Sequence, residues 1–245
     1  LLFTISPVLT ARAMKKEAIA DAKAMQKWVN WGAANEWGLR GAVEQVVLED
    51  IQLGTGVYYC PWTESIRHTD VSRVRDVGPR MLACPSDDFL VPGGAYGDME
   101  MLSWVAMRSW LSPEQLAERA KMRGWKTEGV TPTGHVSYLR ERRESLAQTH
   151  SSSKLTKLYE IHDVYPRFDY DGDGIAEDLL CIFDRSSRKI CALTYQPYDS
   201  RPFAAMRYQI QPFLWYGLGV LEMMRPFQEE VTEIHNQRLL NSMLA

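Results

Sequence analysis

Long apolar runs are missing from this sequence. None reaches about 18 residues, so no segment is long enough to cross a bilayer as a helix. An excess of one charge is missing too: the net charge is −3. Without clustered Lys and Arg, a broad non-specific grip on nucleic acid has no electrostatic basis. A polyanion could still slide past such a surface without being held. Cysteine is sparse, with Cys60, Cys84, Cys181 and Cys191 the full set. No CxxC pair and no histidine at finger spacing accompany them, which argues against a zinc site. They read as free, buried thiols, and in the simplest hairpin register Cys181 sits near Cys191.

Catalytic signatures are equally absent. The chain has no GxSxG, no HExxH and no phosphate-cradling GxxxxGK[ST]. Its five histidines, His68, His135, His150, His162 and His235, lie far apart. His162 alternates into a strand and reads as a packed or surface residue. Cys60 beside Pro61 lacks a local partner that would activate a nucleophile. The basic "RSSRK" reads as a solvated hairpin tip. The expectation is that this is not an enzyme. The opening "LLFTISPVL" has no initiator Met, no basic flank and no small-residue cleavage site, so it makes a poor signal peptide. The closing "HNQRLLNSMLA" stops inside a helical pattern, and the chain is expected to be a piece of a longer protein.

What is present describes a globular protein of 245 residues, 45% hydrophobic and 24% charged, large enough to bury a core without staples. Residues of about 11–31 are rich in Ala, Lys, Glu and Met and predict a helix, with Ala18, Ala22, Met25 and Val29 as its inward stripe. A second helix, about 38–53, carries Val43, Val46, Val47 and Ile51, with Asp50 at the stripe's edge and Gly54 as terminator. "GVYYCPW" has strand character. "TESIRHTDVSRVRDVGPR" reads as a turn or hairpin, and "MLACPSDDFLVPGGAYGD" as strand ends and loops. "MLSWVAMRSW" alternates like a strand. "SPEQLAERAKMRGW" carries the strongest local signal, with Ser112 as N-cap, Pro113 at the first helical position, Gln115 closing a capping box and Gly124 ending the helix. Leu116, Ala120 and Met122 mark its apolar face. Residues 126–153 are polar and read as an exposed loop around "QTHSSSK".

The pattern then turns to β. "KLYEIHDVYPRFD", "DLLCIFD" and "KICALTY" predict an antiparallel meander over about 155–195. "SRPFAAMRYQIQPFLWYGLGV" reads as an extended arm, followed by a long helix from about 220 with Val220, Met224, Phe227, Val231 and Ile234 along one stripe. Pro226 predicts a kink or a late start there.

Between the first two meander strands lies "FDYDGDGIAEDLL". Asp169, Asp171, Asp173 and Gly174 match the first half of an EF-hand loop, but the twelfth position is Leu180 and the flanks are strands. Both features argue against a true EF-hand. Two readings stay open: a compact calcium loop held by Asp169, Asp171, Asp173 and Glu177, or a metal-free turn in which the aspartates bond backbone amides and the glycines supply positive φ.

Taken in order, several segments resemble portal proteins of tailed bacteriophages, of the podovirus-like type. They are a helix ending in "KWVNW", a second helix running into "GTGVYYCPW", then "CPSDDFLVPGGAYGDMEMLSWVAMRSWLSPEQLAERA". "YEIHDVYPRFDYDGDGIAEDLLCIFD" and "RPFAAMRYQIQPFLWYGLGVLEMMRPFQEEVTEIHNQRLLN" complete the series. The resemblance covers nearly the whole chain and rests on the order of the motifs. It implies an α+β fold, with helices packed around a mixed or antiparallel sheet with a β-meander. Residues 1–219 would form the wing-like domain, and 220–245 would begin a long helix leading toward a stem. It also implies a homo-oligomeric ring, usually a dodecamer, at one capsid vertex of the virion, assembled in the host cytoplasm. Double-stranded DNA would pass through its channel. The major capsid protein, the large terminase subunit and later the tail or adaptor proteins would be its partners, with no membrane involved. No enzymatic activity and no cofactor are implied; a structural calcium in the acidic loop stays open on the loop residues alone. In a ring, aromatic residues such as Trp215 and Tyr216 are expected to be buried only in the assembly. The competing reading, a calcium-dependent binding or adhesion module, rests on Asp169–Glu177 alone.

Overall fold

The computed structural model describes residues 9–68, 73–133 and 158–244. Most of the polar stretch expected over 126–153, from 134 on, and the apolar opening, 1–8, lie outside the described residues. The fold is α+β, and every strand pairing among the described residues is antiparallel. The chain divides into two compact units.

The first unit takes Leu1–Cys84, Pro202–Gln211 and Tyr216–Ala245. Helix α1 spans Ile19–Asn35 and α2 spans Leu39–Leu53. Strands β1 (Thr55–Tyr59), β4 (Leu82–Cys84) and β10 (Phe203–Arg207) form a sheet in the order β10-β1-β4. Strands β2 (Trp62–His68) and β3 (Arg73–Pro79) make a separate hairpin, where the sequence predicts a turn or hairpin. Helix α2 lays Ala42 and Val46 against Tyr58 of β1, with Met81 and Ala83 closing the cluster. Burying two or three such side chains contributes roughly 1.5–3 kcal/mol each. Helix α1 starts later than its composition suggests, because residues 16–18 take a tighter 3-10 turn. Asp50 is not at the edge of α2: it is buried. The return of β10 beside β1 brings a Tyr208 backbone hydrogen bond to its carboxyl, while burial pushes that carboxyl up.

Helix α4, Val220–Leu244, completes this unit. It neither starts late nor breaks at Pro226, which lies within it. The missing proline N–H leaves the Glu222 carbonyl without its helical donor.

The second unit takes Pro85–Arg201 and Pro212–Trp215. Its sheet runs β5-β6-β7-β8-β9, formed by Phe89–Leu90, Trp104–Leu111, Tyr159–Phe168, Glu177–Asp184 and Lys189–Tyr195. Helix α3, Pro113–Arg123, packs Leu116 on Leu111, Ile161, Ile182 and Cys191, with Trp125 beside them. Its start is the full capping box: Ser112 Oγ accepts from the Gln115 N–H, and Gln115 Oε1 accepts from the Ser112 N–H. Such a cap contributes about 1 kcal/mol. Met122 does not join the apolar face and is exposed.

Two expectations about this unit change. Cys181 stands opposite Leu193 rather than Cys191: the pairing of Asp184 with Lys189 already sets Cys181 past Cys191, and a bulge between Ile182 and Phe183 adds one more residue to the offset. All four cysteines are free, two of them buried and two half-buried. Trp215 does not wait for an assembly to be buried. It is 2% exposed in the single chain and stacks on Phe89 at 5.4 Å between centroids. Tyr216 stays exposed.

Candidate functional site

The acidic turn sits where the sequence places it, between β7 and β8. Asp169 Oδ1 and Oδ2 accept the N–H groups of Gly172 at 2.6 Å and Gly174 at 2.9 Å. Asp171 accepts from the Asp173 N–H at 3.1 Å, and Asp173 accepts from the Ile175 N–H at 2.7 Å. Glu177, entering β8, reaches back to the Tyr170 N–H at 2.8 Å. Five charge-assisted bonds therefore fold the loop over its own backbone. Gly172 and Gly174 have φ of 79° and 89°, a left-handed conformation that a side chain would strain. The same compaction brings one carboxylate oxygen from each of the four acids within 4.8 Å of the others. That donor set is all oxygen and suits a hard divalent cation.

The other polar groups brought together serve packing. His162 Nε2 and Arg185 Nη1 both meet Glu160 Oε1, at 3.1 and 3.0 Å. Burial alone would push the Glu160 carboxyl up, but those two hydrogen bonds and the partner charges outweigh it and hold the carboxyl below its usual value. His162 is buried against the edge of Phe183, so its reading as a packed histidine stands. Arg201 is buried and donates to the carbonyls of Met99 and Leu102, at 2.7 and 2.8 Å. Neither group was legible beforehand, since the partners of Arg201 lie about a hundred residues upstream. Alternation of His162 within a strand was the only local signal.

The start of α4 is fixed by glycine. Gly217 donates its N–H to Thr55 Oγ1 at 2.8 Å, directly after the α2 terminator Gly54. A Cβ on Gly217 would collide with the Gly54 carbonyl oxygen, and one on Gly219 with the Gln52 carbonyl oxygen. The Tyr-Gly-x-Gly motif is thus the place where two backbones touch. Beyond that anchor, α4 is uncovered. Val220 and Met223 are half-buried, while Met224, Phe227, Val231 and Ile234 are exposed, Phe227 and Val231 both at 62%. The stripe predicted from spacing is real, and from Met224 onward it is exposed among the described residues.

A family model described as Phage SU10 portal protein matches residues 42–245. The chain belongs to that family. The match covers most of α2, all three sheets, the acidic turn, the glycine anchor and α4. As a portal protein it is a structural component of a phage virion. No curated protein matches the chain. Among the described residues, no helix is long and apolar enough to cross a membrane.

Proposed function

We propose that this portal chain is one subunit of a closed ring, usually a dodecamer, at a single capsid vertex. Viral DNA is packaged and ejected through the ring's channel. In this reading the terminase motor docks on the ring during packaging, and tail or adaptor proteins take its place afterwards. The ring is assembled in the host cytoplasm around the major capsid protein and performs no chemistry on DNA. The observation that carries the reading is α4. Its 25 residues extend about 37 Å with an apolar stripe open to solvent, and the portal family match spans the whole helix. A helix with so little covering in its own chain gains its stability from neighbours. A slightly acidic chain also suits a conduit, since tight phosphate binding would stall translocation.

The test is the native mass of the full-length protein, with and without a calcium chelator. A closed ring of about a dozen copies supports the proposal, and a monomer in both buffers refutes it. The chelator arm addresses the calcium-binding alternative, favoured by the 4.8 Å carboxylate cluster. A ring that falls apart on chelation gives the turn a structural metal, whereas an unchanged ring leaves it a turn closed by its amides.

A further inference from the structure

Helix α4 is held firmly at one end. Its entry is pinned by backbone. Gly217 donates its N–H to Thr55 Oγ1 at 2.8 Å, and the Leu218 N–H bonds the Gln209 carbonyl at 2.9 Å. Gly219 lies so close to the Gln52 carbonyl that no Cβ would fit. The Met223 N–H then closes the first turn onto the Gly219 carbonyl at 3.2 Å. Val220 and Met223 are half-buried, whereas every residue from Met224 to Met243 is exposed.

Pro226 falls where the anchored turn gives way to that exposed stretch. It lies beyond the positions whose N–H groups a helix start leaves free in any case. Its missing N–H is therefore a bond lost from the helix interior, and its ring crowds the Glu222 carbonyl that would have accepted it. Glu222 is exposed, so water can take the vacant place when the helix opens on that side. Arg225 and Glu229 bridge the proline at 2.9 Å, but their side chains are 76% and 65% exposed, and a pair so open to solvent adds little stiffness. Beyond the break the chain continues as helix to Leu244.

We propose that Pro226 is a hinge, on which residues 227–244 swing as a rod while the first turn of α4 stays fixed to its own unit. Sharp bends in helices concentrate at proline, and a swing of about 20° carries the far end of a rod about 27 Å long through about 9 Å. The swing is a property of the single subunit. Its use, letting α4 meet successive partners of the portal at different angles, rests on the ring reading given above.

The experiment measures distances between nitroxide spin labels by double electron–electron resonance in the full-length protein, on single subunits separated from rings by size. The half-buried thiols Cys60 and Cys181 are changed to serine in every sample, so that introduced cysteines take the label. One pair, Gln45→Cys on α2 with Asn241→Cys on α4, spans the hinge. A second pair, Gln228→Cys with Asn241→Cys, lies within the rod, and all three sites are exposed. The spanning pair should give a distance distribution about 8 Å broader than the same pair carrying Pro226→Ala, which restores the backbone donor. The pair within the rod, about 20 Å apart along the axis, should be narrow with and without the proline. Circular dichroism checks that each variant folds. A spanning pair equally narrow in both proteins, or equally broad in both, would overturn the hinge. A broad distribution within the rod would overturn it too, since the end of α4 would then be unwound rather than swinging. A protein that forms no ring at any concentration would remove the ring reading and leave the hinge standing.

Discussion

Asp163 is the residue whose replacement tests the energetics most sharply. It lies on β7 between Met107 and Ile182, buried beneath α3, and its Oδ1 has no hydrogen-bond partner. Burial pushes its carboxyl up to about 6 from 3.8, against the pull of Arg119 and Arg123. The native protein then holds a proton that the unfolded chain releases, so stability contributed by this group falls as pH rises from about 4 through about 6. The shift is close to two units, which amounts to about 3 kcal/mol of penalty once both states are ionised. At pH 4.5 the penalty is about 1 kcal/mol by the same linkage. Asp163→Asn removes the charge and keeps the shape. The pull of the two arginines is already inside that figure, but the variant leaves an amide to satisfy, so the expected gain at pH 7.5 is about 1–3 kcal/mol. For a chain of this size that raises Tm by about 2–4 °C per kcal/mol. Urea unfolding of both proteins at fixed concentration, at pH 4.5 and 7.5, gives the difference directly. Glu160, held below its usual value, makes stability fall as pH drops toward its folded pKa, but it does so in both proteins and cancels. The gain should shrink by about 2 kcal/mol on going from pH 7.5 to 4.5. A variant less stable at pH 7.5, or a difference independent of pH, would refute the reasoning.

Further outcomes follow from single contacts. Gly219→Ala puts a methyl against the Gln52 carbonyl and should cost about 1–3 kcal/mol, read as a lower thermal midpoint; an unchanged midpoint would mean that the two backbones are free to separate. Trp215→Ala empties the site stacked on Phe89 and should cost about 3–5 kcal/mol, even under conditions where the protein is monomeric. A loss confined to the assembled form would return Trp215 to an interface role. Asp169→Ala removes the acceptor for two amides and should lower stability by about 1–2 kcal/mol. Adding millimolar calcium to the unchanged protein should leave its midpoint where it is, and a rise with calcium concentration would show a bound cation by linkage.

Features whose partners are close in sequence were readable without a structure. Ser112, Pro113, Gln115 and Gly124 bound α3 because a capping box closes over three residues. The acidic turn is likewise local: Asp169 through Glu177 supply both the acceptors and the amides. The order of elements, the antiparallel meander and the α4 stripe also follow from spacing, since side-chain period is a property of the backbone. Positions that depend on distant strands were not readable. Asp50 looked marginal until β10 returned beside β1, and Cys181 was read near Cys191 although the strand register pairs it with Leu193.

The sequence by itself determined the α+β class, the turn chemistry and an apolar stripe along the last helix, because propensity, capping and periodicity act over a few residues. Only the tertiary structure decided that Trp215 is already buried while Trp28, Trp31 and Phe227 are not. Periodicity marks a face as apolar, but whether that face is covered depends on which other segments arrive against it, and those lie far away along the chain.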